Sequence, residues 1–363
     1  MSQPWKLIPL LFSLLTLTQT APGLTQSRSL NILSEVRGTV YIKRSRYNRA
    51  QRAYGGEFLR YSDRLQLGQG AVAKVLCTNL AIWNPRSRGE FPVSGGCPSV
   101  GAMILPETSQ RTVRADGDFT KPYIISPRDT KILDQQPTLR WNSVAEATYY
   151  QVELQELTLD GLTPIWTTTT TESEVIYRGE ARLKPETYYR LIVKAYQGNA
   201  KIGEELAFFP VVSIATAQEV REKIAELEEK GLSEDGKALA LARLYQSYDL
   251  NAAAIQVLEG LVEQGDQLTT VYQLLGESYQ QMGLFKLAKA QYLTALAQAE
   301  TEENLDTQAQ IQISLAQVEE ELAELETAFE LLQAAQANYR ILGDEEQVAN
   351  LQSDLDKLAR RLP

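Results

Sequence analysis

The chain has 363 residues, a net formal charge of −10 and no histidine. The missing imidazole excludes Ser-His-Asp and Cys-His catalysis, His-ligated zinc and a histidine switch near neutral pH. Charge is unevenly spread, with 14 Lys+Arg against 7 Asp+Glu over 24–120, 10 against 12 over 121–214, and 11 against 27 over 215–363. A basic front, a near-neutral middle and an acidic rear argue for separate domains. Residues 1–23 read as a secretory signal peptide, with Lys6, an apolar run from Leu7 to Thr18 and small residues at Ala21 and Gly23. That run is shorter than the ~20 apolar residues of a membrane span, and no later stretch is long and apolar enough for one. An uncleaved anchor is the alternative. Export to the periplasm or cell envelope places Cys77 and Cys97, the two cysteines of the chain, where thiols oxidise. A Cys77–Cys97 disulfide is therefore expected, with two buried free thiols as the alternative.

Residues 24–105 read as a small β domain. Apolar and polar residues alternate in Gly38 to Arg44 and again in Leu65 to Cys77 around a Gly-rich turn. The G-x-G-x-x-A match at Gly68 to Ala73 leads into a strand rather than a helix, so it does not indicate a dinucleotide site. Between the strands lies a basic loop holding Lys43, Arg44, Arg46, Arg49 and Arg52, with Tyr47 inside it and Tyr54 just beyond. It reads as an anion-binding loop for an envelope polymer, a lipid or an acidic protein, or else as a solvated hairpin tip. In either case its charges are expected to contribute little to stability. Gly38/Val40, Gly56 to Leu59 and Asp63/Leu65 resemble the pattern of FecR-type periplasmic domains, although Ser62 stands where that family has glycine.

A polar linker is expected over 106–122 and a second β domain over 123–213. The Pro137 to Trp141 and Thr148 to Leu157 stretches read as strands, and Thr167 to Thr171 as an exposed β-branched strand. Leu183, Pro185, Thr187, Tyr189, Leu191, Val193 and Ala195 resemble the fibronectin type III pattern. The resemblance implies an Ig-like sandwich with Trp141 in its core and Tyr189 as a tyrosine corner, its hydroxyl bonded to nearby backbone.

From about residue 214 the period becomes helical. Tyr272, Leu275, Gly276, Tyr279, Ala288, Tyr292 and Ala295 resemble the tetratricopeptide pattern, and 34 residues earlier Leu241, Ala242, Tyr245, Ala254 and Leu258 repeat it. A third copy (Leu315, Ala316, Ala328, Leu332, Ala335) follows a six-residue insertion, Thr301 to Asp306, and has Glu319 in place of the first-helix aromatic. Repeats are thus expected at about 235–268, 269–302 and 309–342, after a leading helix near 216–231 and before a capping helix at 343–361. Small residues let antiparallel helices approach closely while tyrosines fill the gaps. The Glu319 to Glu326 run reads as a solvated face. The family resemblance places a groove on Leu239, Arg243 and Gln246, on Gln273, Glu277 and Gln280, and on Ile313, Gln317 and Glu320. The Lys/Asn/Arg clamp that some members use for a terminal carboxylate is missing.

The fold class expected is therefore multidomain β + α, with a FecR-like β domain, a fibronectin-like sandwich and an all-α repeat solenoid. The function expected is a non-enzymatic binding or scaffolding protein of the bacterial envelope. Its groove would hold a protein segment, its basic loop would meet something anionic, and it would need no cofactor, metal or nucleic acid. A sensory module of FecR type and an enzyme of unrecognised chemistry are the rival readings.

Overall fold

The structure, a computed structural model, describes residues 31–98, 120–265 and 267–362. The expected signal peptide and most of the expected linker lie outside the described residues.

The first domain has strands β1 (Asn31–Arg37), β2 (Val40–Lys43), β3 (Gln51–Arg52), β4 (Phe58–Leu59), β5 (Arg64–Leu67), β6 (Val72–Leu76), β7 (Ile82–Trp83) and β8 (Gly89–Pro92), then a single turn of helix, α1 (Val93–Gly96). They form two antiparallel four-stranded sheets, ordered β4-β1-β6-β7 and β3-β2-β5-β8. Alternation sends Val40 and Ile42 of β2, Leu65 and Leu67 of β5, and Ala73 and Val75 of β6 into one shared core. Cys77 and Cys97, both buried in that core, are joined in a disulfide. The sequence separation is 20, and closing such a loop stabilises by ~3 kcal/mol in the chain-entropy model.

The second domain comprises β9 (Ile124–Ser126), β10 (Thr138–Trp141), β11 (Tyr149–Thr158), β12 (Gly161–Thr170), β13 (Glu174–Ile176), β14 (Tyr188–Gln197) and β15 (Ala200–Pro210). A β13-β10-β9 sheet faces a β12-β11-β14-β15 sheet. Trp141 and Tyr189 are buried between them. The threonine run lies mainly on β12, at the edge of its sheet. The backbone N–H of Lys184 donates to the Tyr189 hydroxyl at 2.8 Å. Tyr189→Phe is therefore expected to lower the stability of this domain by about 1 kcal/mol, the net worth of one such bond. Urea unfolding followed by tryptophan fluorescence would measure it.

The rest is helical: α2 (Ile214–Glu228), α3 (Glu234–Ser247), α4 (Asn251–Glu263), α5 (Thr269–Gln281), α6 (Phe285–Thr301), α7 (Leu305–Glu321), α8 (Leu325–Leu342) and α9 (Glu345–Ala359). Each packs on the next, and α5 also touches both α3 and α7, which makes a solenoid of helix pairs. Ser213, Ser233, Asn304 and Asp344 cap α2, α3, α7 and α9 with side-chain oxygens. Ala254, Leu275, Tyr279, Ala288 and Tyr292 are buried in one core, with Tyr245 half-buried against it. The insertion from Thr301 to Asp306 is not a long loop. It lengthens α6 and α7 to 17 residues each, against 13 in α4 and α5, about one extra turn per helix. Glu319 also departs from the solvated face expected of it. It is buried and bonded to Lys289 of α6 at 2.8 Å, so a carboxylate ion pair stands where the other repeats place an aromatic ring.

Candidate functional site

The two irregular features of the sequence, the basic loop and the six-residue insertion, meet in space. Just beyond β2, the N–H of Tyr47 donates to the carbonyl of Arg44 at 3.1 Å, making a tight turn. Arg44 Nη1 lies 2.6 Å from Asp63 Oδ2, and its Nε lies 2.5 Å from Asp306 Oδ2. The Tyr47 hydroxyl donates to Asp306 Oδ1. Asp63 Oδ2 also accepts from the Arg60 backbone N–H at 2.8 Å. The rest of the insertion joins in. Tyr54 donates to the carbonyl of Glu302 at 3.1 Å, and Asn304 Nδ2 donates to Glu57 Oε1 at 2.7 Å. Further along, the N–H of Asn48 donates to the carbonyl of Leu342 at 2.8 Å, and Arg46 pairs with Glu346 of α9 at 2.8 Å.

At the other end of this contact the seam is apolar. Ile32 and Leu76 of the first domain pack with Leu227, Leu232, Ala240 and Leu244 of α2 and α3 and the turn between them. The Phe58 ring lies 4.1 Å from the Arg243 guanidinium, a cation–π distance. Gly56 has φ +89°, and a Cβ there would come within 2.9 Å of Leu239. Both its conformation and the close approach call for glycine. The β domain thus lies along the ends of α3, α5, α7 and α9. The sandwich meets the solenoid elsewhere. Arg140 pairs with Glu259 of α4 at 2.7 Å, Tyr279 donates to the same carboxylate at 2.6 Å, and the carbonyl of Asp249 accepts from Thr130 at 2.8 Å.

The electrostatics at the basic loop follow from removing water. Burial opposes the charge of Arg44, but Asp306 and Asp63 outweigh it and hold the guanidinium above its usual value. Burial also pushes Asp306 up, yet Arg44 and Arg60 together with the Tyr47 hydroxyl bring it below the usual carboxylate range. Burial raises Tyr47 well above a free phenol, and Asp306 adds to that. It raises Glu57 to about 8, with Asp306 and Glu302 pushing the same way against the pull of Arg44. Asp63 Oδ1 and the Tyr339 hydroxyl are buried without a hydrogen-bond partner among the described residues, so the polar groups at this end, set beside the apolar cluster that Tyr47 and Tyr339 join, are imperfectly satisfied.

The basic loop is therefore only in part the exposed feature read from sequence. Lys43, Arg46, Arg49 and Arg52 are exposed, but Arg44 is 7% exposed and neutralised within the chain. The sequence reading did not pick out Glu57 or Asp306 as part of a site.

Of the nine groove positions, Leu239, Arg243, Gln246 and Glu277 are buried. Arg243 Nη1 lies 2.7 Å from Glu277 Oε2, and Gln246 Nε2 donates to Ser278 Oγ at 2.9 Å. These residues tie α3 to α5, so their polar groups are committed inside the fold. Gln273, Gln280, Ile313 and Glu320 are half-buried and Gln317 is exposed. Gln280 Nε2 donates to Gln317 Oε1 at 3.3 Å and so links α5 to α7, while Glu320 pairs with Arg361. The accessible part of this face thus lies over the second and third helix pairs and is rich in amides.

No family model matches the chain, and no curated protein matches it. Among solved structures, the crystal structure of BtubC (BKLC) from P. vanneervenii is similar at 16% identity over 40% of this chain and 73% of that chain, with a TM-score of 0.29. MamA MSR-1 C2 is similar at 18% identity over 40% of this chain and 91% of that chain, with a TM-score of 0.28. Likenesses this weak carry neither fold nor function over to this chain.

Proposed function

We propose that the chain is an exported, non-enzymatic scaffold of the cell envelope whose tetratricopeptide-like solenoid holds a protein segment. Its FecR-like and fibronectin-like domains would frame that solenoid. The observation that carries this reading is the half-open face of α5 and α7, where Gln273, Gln280, Ile313 and Gln317 stand toward solvent on successive first helices. Amides at helical spacing can bond both donors and acceptors of an extended or helical peptide. The exposed Lys43, Arg49 and Arg52 leave a second contact open, to an anionic envelope component.

Mild crosslinking of envelope fractions followed by affinity purification tests the reading. Gln273→Arg/Gln317→Arg in the full chain is expected to lose the proteins captured by the parent while keeping its helical circular dichroism. Recovery of the same proteins would refute the groove. Lys43→Ser/Arg49→Ser/Arg52→Ser is expected to flatten any salt dependence of capture without changing which proteins bind the helical face.

A further inference from the structure

The contact between the first domain and the solenoid is graded from one end to the other. On α2 and α3 it is a packed apolar seam, with Ile32, Leu76 and Phe58 against Leu227 and Leu244. Toward α7, α8 and α9 it is made by hydrogen bonds and ion pairs from Arg44, Arg46, Asn48 and Glu57, around one buried ring, Tyr47, that joins the apolar cluster of Tyr339, Leu342 and Leu351 and donates to Asp306. The first domain also has a core of its own, with no solenoid residue in it. It can therefore stay folded while part of its outer contact is lost. A helical solenoid is held together by nearest neighbours and bends easily, so a rigid domain fastened at both ends of a row of helix pairs restrains that bending.

We propose that the first domain is a latch, anchored permanently on α2 and α3 and closed reversibly on the start of α7 through Glu57, Arg44 and Tyr47. This goes beyond the scaffold reading and does not depend on any partner.

The polar end is built to respond to charge. Glu57 accepts from Asn304, and the charged groups around it are Arg44 from its own domain and Asp306 and Glu302 from the solenoid. Tyr54 adds a backbone hydrogen bond to it, and its own hydroxyl feels the Glu57 charge. Tyr47 stays protonated at any working pH because its pKa is raised well above a free phenol. Asp306 is held below the usual carboxylate range by Arg44 and Arg60 against the effect of burial. Glu57 is thus the group that changes charge near neutrality, at about pH 8 when closed. In the open form it meets water and titrates near the ordinary value of 4.5. Between those two values the closed form holds one more proton than the open one. Closure is therefore strongest in mild acid and weakens as pH rises.

The backbone N–H of Asn48, bonded to the carbonyl of Leu342, reports the latch directly. Hydrogen–deuterium exchange of the full chain, corrected for intrinsic exchange, is expected to show the protection of residues 46–49 falling roughly fiftyfold between pH 5.5 and 7.5. The Ala53 N–H, bonded to Val40 inside the domain, should keep its protection. Glu57→Gln, which cannot ionise, is expected to remove the pH dependence. Asp306→Asn is expected to lower Asn48 protection at both pH values and leave Ala53 unchanged. Asn48 protection that does not change with pH in the parent would overturn the latch. So would a pH slope that survives Glu57→Gln, or an Asn48 amide that exchanges only together with Ala53.

Discussion

Arg44→Ala is expected to destabilise the packed unit of first domain and solenoid by about 3–5 kcal/mol, the usual result of removing one partner from a buried ion pair. The reason is what remains. Asp63 and Asp306 are 0% and 1% exposed, and Arg44 is the cation closest to both, at 2.6 and 2.5 Å. Arg60 is a poor substitute, since its side chain lies 4.0 Å from Asp306. Two desolvated carboxylates would face each other across the space vacated by the guanidinium. Arg44→Lys should recover only part of the loss, because one ammonium cannot fork between two acids. Arg46→Ala is the internal comparison. Its pair with Glu346 is about half exposed on both sides, and such pairs contribute ~0.2–1 kcal/mol. Thermal unfolding of the three variants, monitored by far-ultraviolet circular dichroism, measures the ranking. Equal shifts for Arg44→Ala and Arg46→Ala would mean that the Arg44 cluster is as well solvated as the surface. Reading Arg44 from sequence as one of five equivalent loop charges implied a negligible cost, and the fold reverses that for this one residue.

How much was legible depended on whether the signal was local. The strands around Val40 to Ile42 and Leu65 to Leu67 alternate within a few residues, and the buried face is the one alternation marks. The tyrosine and small-residue spacing of α5 and α6 is set by contact between chain neighbours, so the sequence alone marks Gly276, Tyr279, Ala288 and Tyr292 as buried positions. The pairing of Cys77 with Cys97 was legible because the chain has two cysteines, which allow one intrachain bond. The contact between the basic loop and the insertion was not legible, because Tyr47 and Asp306 are 259 residues apart and nothing in either segment points to the other. A weak sign was present: an insertion that breaks a repeat but carries Asn304 and Asp306 at a helix start has a use besides connecting. Arg243 and Glu277 were missed differently. They are 34 residues apart, equivalent positions of adjacent repeats. A charge of opposite sign one period away is a pattern for an ion pair between helices rather than for a groove.

Two glycines of the solenoid are expected to respond to the same substitution with opposite signs. Gly276 lies inside α5, and a Cβ there would fall 2.6 Å from the ring of Tyr292. That ring is 0% exposed and its hydroxyl donates to Gln280 at 2.8 Å, so it is held at both ends and cannot swing aside. Gly276→Ala must push α5 and α6 apart, and overpacking of this kind costs ~1–3 kcal/mol, more than the gain of up to ~1 kcal/mol that alanine brings to a helix. Gly260 lies inside α4, and a Cβ there meets nothing within 4 Å. Gly260→Ala therefore keeps the propensity gain alone and should stabilise by about 1 kcal/mol. Chemical denaturation of the full chain, followed by helical circular dichroism, would give both shifts in one experiment. A gain at both positions would mean that Tyr292 relaxes freely and that close approach of α5 and α6 is not what the glycine provides. A loss at both would mean that α4 is pressed by something other than its neighbours in this chain.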